Sequence, residues 1–206
     1  LAERIGNVAG VAAAYGQIGT LHQLQGDYQS ALEWYQRSLA LEERLGNLAG
    51  MAVSYHHTGL IHQLRGDYPA AREFYQKSLK LAERMNDLSG IATSYGQIGV
   101  IYQLRGDYPA ALELYQKSLA IKETLGDQAG IATSCDLIGT ISRLRDDYSA
   151  ALEWYEKSLA IRDRLNDLSG LANSYDQIGV IHQLRDDHQG ALEWHHKSLA
   201  IRERLE

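Results

Sequence analysis

Eight histidines, one cysteine and two Asp-Asp pairs are the groups in this chain whose chemistry could support catalysis or metal binding. Their spacing argues against both. His56-His57 and His195-His196 are sequence neighbours, and neighbouring residues of a helix point about 100° apart, whereas helical pairs that share a metal stand at i, i+4. His22, His62 and His182 recur at one register that Tyr102 fills elsewhere, which marks them as substitutes for a core aromatic. Cys135 stands where other copies carry Tyr55 or Tyr95, so it is expected to be buried and inert, and one thiol cannot form an internal disulfide. Asp146-Asp147 and Asp186-Asp187 share the register of Gly106-Asp107 and read as turn and cap residues. With no phosphate loop, His-Glu-x-x-His or Gly-x-Ser-x-Gly motif, no catalytic residue, metal or cofactor is expected, and no enzymatic activity.

The elements that carry these residues repeat. Asn7, Asn47, Asp87, Asp127 and Asp167 stand 40 residues apart, each followed three positions later by Gly10, Gly50, Gly90, Gly130 or Gly170. Self-similarity at such a period points to stacked copies of one supersecondary unit. Composition agrees, with 45% apolar residues, 22% charged residues and two prolines, as in a helical chain with a continuous core. The formal charge of −6 and the lack of any basic run argue against nucleic-acid binding. No stretch approaches 18 apolar residues and Leu1 opens no basic or apolar leader, so no membrane partner is expected and a cytoplasmic location is.

Two amphipathic segments appear in each unit. Tyr95, Ile98, Gly99 and Tyr102 follow i, i+3, i+4, i+7 spacing, and Ala71, Tyr75, Ser78, Leu79 and Ala82 trace one face of a following helix. Gly26-Asp27, Gly66-Asp67 and Gly106-Asp107 stop the first helix and cap the second, and Pro69 and Pro109 fall in the second helix's first turn. Gly46-Asn47, Asn86-Asp87, Gly126-Asp127 and Asn166-Asp167 form the return joint. Gly19, Gly59, Gly99, Gly139 and Gly179 sit mid-helix and are expected to face Ala31, Ala71, Ala111, Ala151 and Ala191, with tyrosines in the flanking space. Trp34, Phe74, Leu114, Trp154 and Trp194 are expected to pack between repeats, and Glu33 with Arg37 or Glu73 with Lys77 to pair at i, i+4 on the outer face. The expected organisation is residues 1–7 as the end of a preceding repeat helix, then hairpins over 8–47, 48–87, 88–127, 128–167 and 168–206. The chain then reads as a fragment of a longer array whose ends lack polar caps, so fraying or a homo-oligomer through those ends is expected.

These residues resemble the tetratricopeptide repeat family over essentially the whole chain. Its aromatic, apolar, small and aromatic first-helix positions correspond to Tyr95, Ile98, Gly99 and Tyr102, and its second-helix positions to Ala111, Tyr115 and Ser118. Where the family's shorter unit ends in proline, this chain has Glu43, Glu83, Glu123, Asp163 and Glu203, so the second helix should run on by about a turn. The longer unit is similar to those of Pins-type adaptors, kinesin light chain and arrays attached to bacterial STAND-type signalling proteins. The resemblance implies an all-α fold, a right-handed α-solenoid of about five hairpins whose first helices line a concave groove.

A ligand in that groove would meet Gln17, Gln97 and Gln177 in one row and Gln23, Gln63, Gln103 and Gln183 in another. Each amide donates and accepts, so a row of them can pair with the backbone of an extended peptide. Discrimination would fall to His56, His57, Asp136, Arg143, Asn173 and Asp176, with the histidines titrating near neutrality. The groove's one cation, Arg143, is too few for a clamp on acidic C-termini. Two functions remain. One is a scaffold binding a protein or peptide partner along the concave face. The other is a sensor or spacer array of a larger signalling protein, acting through self-association or control of an effector domain.

Overall fold

Asp27 ends the first turn of the chain by accepting a hydrogen bond from the Ser30 N–H at 3.1 Å, just after Gly26 adopts φ +77°. The same device, a left-handed residue followed by an acidic cap, recurs at every joint between a first and a second helix. Gly26, Gly66 and Gly106 take the left-handed position in three joints, and Asp146 and Asp186 take it in the other two with φ of 61° and 59°. Aspartate tolerates this region better than most residues. The return joints use Gly46, Asn86, Gly126 and Asn166 in the same conformation.

The computed structural model describes residues 2–205. Among them the chain forms ten helices and no strand: α1 (Ala2–Leu24), α2 (Tyr28–Leu45), α3 (Leu48–Leu64), α4 (Tyr68–Met85), α5 (Leu88–Leu104), α6 (Tyr108–Leu125), α7 (Gln128–Leu144), α8 (Tyr148–Leu165), α9 (Leu168–Leu184) and α10 (His188–Leu205). Pro69 and Pro109 lie in the first turns of α4 and α6, where their missing N–H has no intrahelical partner to lose. Glu43, Glu83, Glu123, Asp163 and Glu203 lie inside second helices, which therefore continue past the point where proline would stop them.

One joint differs from expectation. Gly6 and Asn7 lie within α1, which is unbroken from Ala2 to Leu24, and Leu1 is outside the described residues. The same residue types make a turn at Gly46-Asn47, where α3 folds back onto α2. A cap is worth about 1 kcal/mol, too little to interrupt helix propagation unless tertiary packing draws the next segment away.

The chain divides into two compact units, Leu1–Arg105 holding α1 to α5 and Gly106–Glu206 holding α6 to α10. In the first unit α1 packs on α2, α2 on α3, α3 on α4 and α4 on α5, and in the second the order α6 to α10 repeats that neighbour packing. Each core is built from small and aromatic residues together. Ala31, Leu32, Tyr35 and Ile61 form one cluster and Ala151, Tyr155, Ile178 and Ile181 another.

Gly19, Gly59 and Gly139 meet tyrosine rings more closely than they meet alanines, and Gly179 meets the His195 ring. A Cβ on Gly59 would lie 2.9 Å from the Tyr75 ring and 3.2 Å from the Ala71 carbonyl oxygen, and one on Gly19 would lie 2.7 Å from the Tyr35 ring. Contact with the ring explains the glycine, since Tyr35, Tyr75 and Tyr155 are essentially fully buried and lie flat against that helix.

Rings of the aromatic stripe meet rings of their own hairpin, and Trp194 also packs against the cluster that holds Ala151 and Tyr155 of the preceding one. Trp34 meets Tyr15 with centroids 5.2 Å apart, Phe74 meets Tyr55 and His62, and Trp194 meets Tyr175 and His182. On the outer side Lys77 pairs with Glu73 at 2.7 Å and Lys117 with Glu113 at 2.6 Å. Arg37, Lys157 and Lys197 instead hold their charges 4.6, 4.2 and 3.8 Å from the ring centres of Trp34, Trp154 and Trp194. A cation over an indole face is favourable by about 0.5 to 1 kcal/mol at such exposed sites, comparable to the i, i+4 ion pair it replaces.

Candidate functional site

In the first unit, α3 is flanked by two clefts. One, of about 350 Å³, is framed by α1, α2 and α3 and includes Gln17, Thr20, Ser38, Glu42 and Gly50. The other, of about 370 Å³, is framed by α3, α4 and α5 and includes Ala52, His56, Ala82, Met85 and Thr93. Val53 and His57 line both. Val53 is 56% exposed although apolar, so it forms a greasy ridge between two recesses. The recesses exist because small residues line them: Gly16, Ser38, Ala52, Ser78 and Ala82 leave space that larger side chains would fill.

The expected site residues fall into three groups. Gln17, His56 and His57 line the clefts. Both histidines are half-buried, with His57 stacked on Tyr35 at 5.1 Å and His56 against His57 and Tyr75. Burial, and then the neighbouring His57, push His56 down to about 4, and burial lowers His57 as well. His56 therefore does not titrate near neutrality as its sequence context suggested, because protonation would place a charge among aromatic rings.

The second group is wired to the core. Tyr35 donates to Gln23 Oε1 at 3.0 Å and Tyr75 to Gln63 Oε1 at 2.8 Å, while Tyr155 donates to Gln177 Oε1 at 3.3 Å. Arg143, in the register of Gln23 and Gln63, lies against the Tyr155 hydroxyl. In the last hairpin His195 stands in place of the tyrosine and turns to Asp176, 3.3 Å away, leaving Gln183 exposed. Gln23, Gln63 and Gln177 thus serve buried phenols, each of which needs a partner, and their amide N–H groups are not used by those bonds. Gln97 and Gln103 are half-buried on α5 and line neither cleft.

The third group is held by arginines that sequence reasoning did not single out. Arg162 of α8 reaches Asp136 on α7 at 2.5 Å and Asp167 at 2.5 Å. Arg202 of α10 reaches Asp176 at 2.7 Å and donates to Asn173 Oδ1 at 3.0 Å. Asp136, Asn173 and Asp176 are therefore engaged inside the second unit. The signal that could have revealed this is the register Glu42, Ala82, Lys122, Arg162, Arg202, which varies in charge between near-identical copies.

His22, His62 and His182 lie at the wall between helices as expected, with a further role. Their Nδ1 atoms stand 3.3, 3.2 and 2.7 Å from the capping carboxylates of Asp27, Asp67 and Asp187. Each carboxylate thus caps the second helix and meets a ring on the first. Asp187 is held below the usual carboxylate range by the Gly190 N–H and then by His182. Cys135 is buried and its thiol is pushed up to about 11 by burial, which leaves it protonated and unreactive. Among the described residues no group of three or more His, Cys, Asp or Glu side chains could hold a metal ion. No described helix is long and apolar enough to cross a membrane.

A tetratricopeptide repeat model matches residues 10–84 and 90–164, and a second tetratricopeptide repeat model matches 171–206. The chain belongs to the tetratricopeptide repeat family. No curated protein matches it by sequence. Solved structures share the TPR fold. BtubC (BKLC) from P. vanneervenii is 21% identical, with 96% of this chain and 82% of that chain covered at a TM-score of 0.84. A Podosopora anserina chain of nearly identical TPR-like repeats, assigned as kinesin light chain, is 17% identical, with 97% and 98% covered at 0.74. Aspartyl phosphate phosphatase F from Bacillus subtilis is 14% identical, with 93% of this chain but 50% of that chain covered at 0.84.

Proposed function

We propose that this TPR chain is a non-catalytic, cytoplasmic scaffold that holds an extended segment of a protein partner against the inner side of its first helices. The observation that carries this is the pair of clefts on either side of α3, sharing Val53 and His57. Alternate side chains of an extended segment could drop into the two recesses while its backbone crosses the ridge, the geometry in which pockets read side chains and polar groups read the main chain. Gln17 would serve that backbone. Membership of a family of protein-interaction repeats supports the reading, as does the lack of a motif for chemistry.

Panning a random dodecapeptide phage library against the 206-residue chain, then measuring each enriched peptide against Val53→Arg, tests it. Peptides should be enriched and should lose at least tenfold in affinity. An unenriched library, or binding indifferent to the substitution, would remove the inner face of the first unit from consideration.

A further inference from the structure

Glu42 is the only charged residue lining the cleft of α1, α2 and α3, and it is 5% exposed. Its Oε2 accepts one hydrogen bond, from Asn47 Nδ2 at 2.6 Å, and among the described residues no lysine, arginine or histidine pairs with it. A buried carboxylate with a single neutral partner is costly unless a cation answers it. It rests against Gly50, where an added Cβ would overlap the carboxylate.

The second unit shows what usually answers such a charge. At the position of Glu42, α8 and α10 carry Arg162 and Arg202, whose guanidinium groups meet Asp136 and Asp176 on the preceding first helices. The position of Asp136 and Asp176 is Gly16 in the first hairpin. There the charge on the second helix is reversed and its partner is missing, and an added Cβ on Gly16 would meet only Ser38 Oγ at 3.8 Å. Open space therefore lies where the counter-charge stands in the last two hairpins.

We propose that this cleft is a subsite for an arginine or lysine side chain of the bound segment, with Glu42 as its counter-ion. The inference rests on the peptide-binding reading above. The guanidinium enters past Gly16 and pairs with the Glu42 carboxylate, as Arg162 pairs with Asp136 but with the two signs exchanged between elements. Arginine suits it better than lysine, because a planar fork can engage both carboxylate oxygens. The neighbouring cleft, floored by Ala82 and bounded by Met85, with Asp87 engaged in capping α5, takes an apolar side chain of the same segment. The recognised segment thus combines one basic and one apolar residue.

The test uses fluorescein-labelled peptides enriched by panning, each remade with citrulline or norleucine at its basic positions. One arginine per peptide should prove essential, its replacement by citrulline lowering affinity at least tenfold. Glu42→Gln, which keeps the bond to Asn47, should weaken the arginine peptide by a similar factor and leave the citrulline peptide unchanged. Gly16→Arg supplies the cation internally, so it should retain a helical spectrum, raise the melting temperature and abolish binding. Peptides that bind through Val53 but need no basic residue, or that are indifferent to Glu42→Gln, would overturn the subsite while leaving the groove reading intact. Enrichment of no peptide would overturn both. Titration with magnesium or calcium ions alone, if it produced the same rise in melting temperature in a Glu42-dependent way, would assign the site to a metal ion and overturn the peptide subsite.

Discussion

Tyr75 is completely buried, and its hydroxyl donates to Gln63 Oε1 at 2.8 Å across the two helices of one hairpin. That bond turns an apparently solvent-directed glutamine into the partner of a buried phenol, and it makes the two ends of the contact unequal.

Tyr75→Phe removes the donor together with its need, so a loss of about 1 kcal/mol is expected. Gln63→Ala leaves the hydroxyl buried and unpartnered, and should cost about 1 to 3 kcal/mol. Urea denaturation of both variants and of the double variant measures the difference, and equal losses would show that the phenol finds water in place of the amide.

Gly59 and Gly16 are both helical, yet they should respond in opposite directions. Gly59→Ala places a methyl 2.9 Å from the Tyr75 ring, and the strain of about 1 to 3 kcal/mol should outweigh the gain in helix propensity. Gly16→Ala meets only Ser38 Oγ at 3.8 Å, so it should stabilise by up to about 1 kcal/mol. Thermal melts of the pair give the sign directly.

Arg162 is 14% exposed and joins Asp136 to Asp167. Both carboxylates lose a charged partner in Arg162→Ala, for which a destabilisation of about 2 kcal/mol is expected. Arg162→Lys should recover only part of it, because an ammonium cannot fork between the two acids. Full recovery by lysine in a denaturation curve would mean that charge alone matters here.

His56, enclosed by His57 and Tyr75, has a folded value near 4 against an ordinary value of 6.5. The unfolded chain then binds the proton more readily, so stability is complete above about pH 6.5 and falls as the pH drops through that value toward 4. A difference of this size corresponds to about 3 kcal/mol, and His56→Gln should flatten that stretch of the profile. Asp187, held low by its cap and by His182, contributes in a separate window below 3.8. Side-chain NMR finding His56 half-protonated near pH 6.5 would contradict the assignment. The same reasoning leaves His56 no part in any change of partner affinity between pH 5.5 and 8.

The hairpin array follows from local signals in the chain. Period, turn residues and capping aspartates act locally, within three or four residues of one another, so the helices, the Gly26-Asp27 type of joint and the prolonged second helices could all be read from the chain. The same residue types that turn at Gly46-Asn47 stay inside α1 at Gly6-Asn7. Which polar groups meet is settled by how the helices pack. Gln63 with Tyr75 and Arg162 with Asp136 are 12 and 26 residues apart, on separate helices, and their pairing depends on the rotation of each helix against its neighbour. The same rotation drove His56 out of the neutral titration range and left Glu42 buried beside an open cleft, because burial and distance set the energy of a polar group and neither is a property of the sequence alone.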